Sequence, residues 1–147
     1  MRSKLFTILI FSLVFANTNC QTKRFTPLDY SNNLIIFGSG GGFAGTVTEY
    51  CILENGQCFL KKAGESEFNS IDDLDKNAVE QIFNNYTMLS LGEIKMKAPG
   101  NMYYFIKYGT KDKMYELVWG AYGEEPPANL KTYYNILNNL VNNQPTR

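Results

Sequence analysis

The side chains that most often carry chemistry are scarce in this chain. It has no histidine, three cysteines and one tryptophan. Without imidazole there is no Ser-His-Asp or Cys-His nucleophile, no histidine-bound zinc and no histidine acid or base. Cys51 and Cys58 flank Ile52-Leu53-Glu54-Asn55-Gly56-Gln57, which carries an Asn-Gly hairpin signal. A two-residue turn at Asn55-Gly56 places both cysteines on one face, diagonally, at the margin of disulfide geometry. A three-residue turn at Glu54-Asn55-Gly56 places them on opposite faces and forbids the bond. A Cys51–Cys58 disulfide is therefore a candidate. A metal site there is not expected, because other soft ligands are missing.

The glycine run is the most conspicuous motif. Gly38-Ser39-Gly40-Gly41-Gly42-Phe43-Ala44-Gly45 contains a formal G-x-G-x-x-G. A dinucleotide cradle needs a helix after that motif, and the next segment reads as a strand. The Gly-Lys-Ser/Thr ending of a Walker loop is absent. Two readings remain: a tight crossing between strands with Phe43 plugging the core, or an exposed loop that meets a partner.

Asp72, Asp73 and Asp75 lack calcium-loop spacing and read as acidic residues of a helix start. Glu49, Glu54 and Glu116 offer no pair placed for hydrolysis. Tyr103, Tyr104 and Tyr108 could stack on a small ligand, although strand alternation sends some of them to the core. No catalytic residue, metal or cofactor is expected.

Positioning these residues falls to one domain of a 147-residue chain. Arg2 and Lys4 precede an apolar run from Leu5 to Ala16, too short to span a bilayer and typical of a secretory signal. Cleavage after Ala16 and lipid attachment at Cys20 are competing outcomes. The expected layout is a signal peptide over 1–19, a polar tether over 20–32, a domain over 33–143 and a tail over 144–147. Lys+Arg and Asp+Glu are 14 each, so loss of Arg2 and Lys4 leaves the exported chain at −2. That balance argues against nucleic acid, which requires clustered positive charge. If Cys20 is lipidated, Cys51 and Cys58 are left as a pair.

The patterning predicts an α+β fold. Leu34–Phe37, Thr46–Leu53 and Gln57–Lys61 read as three strands. Ser70-Ile71-Asp72-Asp73 reads as the start of a helix reaching about Tyr86. Met102–Tyr108 and Met114–Trp119 read as a hairpin across Gly109–Lys113. Leu130, Tyr133, Tyr134, Leu137, Leu140 and Val141 form one face of a final helix. The order βββ-α-ββ-α implies an antiparallel sheet of about five strands with two helices packed on one face.

Phe37–Gly45, Pro99-Gly100-Asn101-Met102-Tyr103-Tyr104-Phe105-Ile106 and Trp119-Gly120 occur in this order in small predicted lipoproteins of Gram-negative bacteria. The chain resembles that group from about Leu34 to Val141. The group has no assigned function, and the resemblance implies lipid attachment at Cys20, although Asn19 departs from the usual preceding residue. More distantly, Ser39–Gly45 and the element order are similar to emfourin, a family of small inhibitors of thermolysin-like metalloproteases. Emfourin carries Ser-Gly-Gly-Phe-Ala-Gly; this chain has one glycine more. These likenesses imply a non-enzymatic envelope protein that binds a secreted protease or another envelope protein; a monomer is expected. Gly38, Ser39, Gly40, Gly41, Gly42, Phe43, Ala44 and Gly45 are its expected contact loop. The alternatives are a scaffold lipoprotein with no specific ligand and a small-ligand binder that uses the aromatic hairpin.

Overall fold

A computed structural model describes residues 23–143. The expected signal peptide, Cys20 and the tail over 144–147 lie outside them. In chain order the elements are β1 (Leu34–Gly41), β2 (Thr46–Leu53), β3 (Cys58–Lys61), β4 (Asn69–Ser70), α1 (Lys76–Met88), β5 (Met102–Thr110), β6 (Lys113–Trp119) and α2 (Ala128–Asn142). A single 3₁₀ turn, Leu91–Glu93, follows α1. The strands form one six-stranded sheet, β4-β3-β2-β1-β5-β6, antiparallel throughout. The expected α+β class holds, with the two-residue β4 added.

Strand alternation divides the sheet into two faces. Ile35, Phe37, Ile52, Cys58, Ile106, Leu117 and Trp119 point to the helical side. There they meet Val79, Ile82, Phe83 and Tyr86 of α1 and Leu130, Tyr133 and Leu137 of α2. Tyr133 is fully buried and its hydroxyl donates to the Ile82 carbonyl at 2.9 Å, tying α2 to α1. A second, smaller core occupies the opposite face at one end: Tyr30, Leu34, Cys51, Leu53 and Phe59. The rest of that face is free of helices.

Three local expectations are corrected. The first helix starts later than Ser70, which lies in β4. Asp75 is the N-cap, accepting from the Asn77 and Ala78 N–H groups at 2.9 and 3.3 Å. The β5–β6 connection is shorter than Gly109–Lys113: Thr110 pairs with Lys113, leaving Lys111-Asp112 as the turn. The described part of the expected tether is packed rather than free, with Tyr30 only 4 % exposed and set edge-on against Phe25 at 5.3 Å.

Cys51 and Cys58 form no disulfide; both are free and buried. The Leu53 N–H donates to the Gln57 carbonyl at 2.9 Å, and Ile52 pairs with Cys58. That is the three-residue turn Glu54-Asn55-Gly56. Cys51 therefore joins the small core, and Cys58 joins the helical one. Burial holds both thiols protonated, with Cys58 pushed up to about 12 and Cys51 also raised.

Candidate functional site

The glycine run is two structures in sequence. Gly38, Ser39, Gly40 and Gly41 continue β1, paired with β2 on one side and β5 on the other. Gly42, Phe43, Ala44 and Gly45 are the turn, closed by the Gly45 N–H donating to the Gly42 carbonyl at 3.1 Å. Phe43 is not a core plug. Its ring is fully exposed at the tip.

The three motifs that the sequence kept apart meet at this end of the sheet. The Gly42 N–H donates to the Asn101 carbonyl at 2.8 Å. At Gly41, with φ of +106°, a Cβ would overlap the Asn101 carbonyl oxygen, so only glycine fits. At Gly100 a Cβ would overlap the Gly120 carbonyl oxygen in the same way. The Ala121 N–H donates to the Ala98 carbonyl at 2.9 Å. Backbone approach thus joins the β1–β2 turn, the loop before β5 and the loop after β6. The joined end carries exposed Phe43, Met102 and Tyr122. Met102 and Tyr122 were not foreseen. The glycines on either side of Ala121-Tyr122 were the signal of an exposed aromatic loop.

The helix-free face holds a groove of about 510 Å³ next to the hairpin tip. Val47, Tyr103, Phe105 and Val118 line it, with Ala44 and Gly45 at one end. The Tyr103 ring lies over Gly40, and the Tyr103 and Phe105 rings are 6.2 Å apart. Two ion pairs also line it. Lys61 pairs with Glu49, and Lys107 reaches Glu116 at 3.5 Å. Lys97 also approaches Glu116, at 3.7 Å.

The three tyrosines considered for a ligand do not converge. Tyr104 lies on the helical face, stacked on Trp119 at 5.9 Å and edge-on to Tyr134 at 5.5 Å. Tyr108 stacks on Tyr86 at 3.8 Å. Tyr103 alone of the three faces the groove. The acids are equally dispersed. β1 and β5 separate Glu49 from Glu116, a gap of about 14 Å at ordinary strand spacing. Asp75 caps α1, and Asp73 holds Arg24 at 2.7 Å. Among the described residues no three His, Cys, Asp or Glu side chains gather as a metal set, and no helix is long and apolar enough to cross a membrane.

No protein-family model matches the chain, and none of the curated proteins compared with it is a match.

Proposed function

We propose that the chain is a non-enzymatic, exported envelope protein, lipid-anchored at Cys20, that binds another protein through the tip Gly42-Phe43-Ala44-Gly45. The observation that carries this is Phe43. A fully exposed phenylalanine ring sits on a turn that the Gly42 N–H, donating to the Asn101 carbonyl, holds to the loop before β5. Burying such a ring in a partner is worth about 1.5–3 kcal/mol, and a held loop loses little freedom on binding. The site's placement supports the reading. The Lys23 carbonyl is held by Gln57, at the end of the sheet away from Phe43. An anchor at the N-terminal side therefore leaves the tip pointing away from the membrane.

The similarity to emfourin makes a secreted thermolysin-like metalloprotease the first partner to test. Protein lacking the residues before Gln21 is titrated into such a protease assay. Inhibition at micromolar concentration that is lost in Phe43→Ala is the expected result. Absence of inhibition removes the inhibitor form of the proposal. Two observations favour the other readings. The backbone approaches at Gly41 and Gly100 are what a pure scaffold requires, and the Tyr103–Phe105 groove has the volume for a small ligand.

A further inference from the structure

Residues 23–33 form a strap over the small core, at the end of the helix-free face away from the glycine turn. The strap contains neither helix nor strand. Its central fastening is Gln57, the one buried polar side chain among the described residues, 2 % exposed. The Gln57 Oε1 accepts from the Phe25 N–H at 2.9 Å, and its Nε2 donates to the Lys23 carbonyl at 3.1 Å. Arg24 adds an exposed ion pair to both oxygens of Asp73, at 2.7 and 2.8 Å. The Glu54 N–H donates to the Asn33 carbonyl at 3.2 Å. Tyr30 and Phe25 supply the apolar contact, against Leu34, Cys51, Leu53 and Phe59.

We propose that this strap is a latch. It opens and recloses without unfolding the helix-covered core, and its opening uncovers the apolar half of the helix-free face. That half then runs on into the groove floored by Tyr103 and Phe105. Segments with few fastenings and no ladder open at lower free energy than the core they cover. Here a handful of side chains hold the strap, whereas the helical core closes against β1, β2, β3, β5 and β6 together. The chain before Lys23 joins the domain through the strap, so tension on it reaches the latch before the sheet. The inference is independent of the hairpin-tip reading.

The two buried cysteines report on it from opposite sides. Cys51 lies in the core beneath the strap, and Cys58 lies in the core beneath the helices. A thiol reacts only when a reagent reaches it. Full-length protein is treated with iodoacetamide across a urea series and then cleaved after glutamate, which separates Cys51 from Cys58 at Glu54, and the Cys51 and Cys58 peptides are quantified by mass spectrometry. Without urea, Cys51 is expected to react about tenfold or more faster than Cys58, with a shallower urea dependence because less surface opens. Gln57→Ala is expected to accelerate Cys51 about another tenfold and leave Cys58 unchanged. Arg24→Ala, on an exposed side chain that cannot disturb either core, is expected to accelerate Cys51 about two- to threefold. A single rate and a single urea slope for both cysteines overturns the latch. So does acceleration of both cysteines equally in Gln57→Ala with no change in Arg24→Ala.

Discussion

Leu34–Phe37 and Gly38–Gly41 are the two halves of one strand, paired to the same two neighbours along their whole length. The first half packs with its own side chains: Leu34, Ile35 and Phe37 are fully or almost fully buried. The second half has almost no side chains and packs with those of others. The Tyr103 ring occupies the space over Gly40, and the Phe105 ring approaches Gly38. On the helical side the Tyr134 hydroxyl donates to the Gly38 carbonyl at 3.0 Å. The difference shows that a central strand can do without side chains of its own when ladder hydrogen bonds and its neighbours' side chains hold it. Once they do, omitting side chains lets neighbouring backbone come close enough to lock three loops together.

The largest test of that contrast is Phe37→Ala. It should cost about 3–5 kcal/mol, read as a fall in the urea midpoint, because the ring is fully buried between Tyr50 at 5.4 Å and Tyr134 at 6.2 Å. Gly41→Ala should follow at about 2–4 kcal/mol, combining a left-handed backbone with overlap onto Asn101. If thermal denaturation shows Gly41→Ala to be neutral, the backbone interlock is not what holds this end. Tyr134→Phe, which removes only the hydroxyl on Gly38, should cost about 1 kcal/mol by the same measurement.

A smaller effect belongs to the packed side and to alkaline pH. Burial raises the Tyr86 phenol to about 12, and its hydroxyl is buried without a hydrogen-bond partner. A raised pKa means that above pH 10 the unfolded chain loses this proton while the folded chain keeps it. The Tyr86 contribution is therefore whole below pH 10 and drains away between pH 10 and 12. Tm measured across that window should fall, and Tyr86→Phe should flatten the fall. The smallest stability effect is expected at the tip. Phe43→Ser should change stability by less than about 0.5 kcal/mol, because nothing packs on the ring, while abolishing protease inhibition if the tip is the contact. A large loss of stability in Phe43→Ser would mean that the tip supports the fold.

Much of the fold was legible because its signals are local. The apolar run Leu34–Phe37 and the 3.6-residue spacing of Leu130, Tyr133 and Leu137 each identify an element from neighbouring residues alone. The first helix was misplaced because Ser70, Asp72, Asp73 and Asp75 are all competent to begin it. The choice of Asp75 followed once Ser70 paired with Phe59 in the sheet. The cysteine pair turned on one residue of turn length, which moves a strand's side chains to the other face without altering composition. Phe43 could not be placed from sequence either, since a phenylalanine between glycines suits a core plug and an exposed tip equally.

The absence of a histidine-based site and the α+β order needed nothing beyond composition and periodicity, since those are properties of short stretches of chain. Which residues share a surface was decided only by tertiary structure. Gly41 and Asn101, sixty positions apart, meet because β5 pairs with β1, and Gly100 meets Gly120 because β5 also pairs with β6. Contact between distant segments depends on strand register, and register is set by the burial of the whole sheet rather than by any one motif.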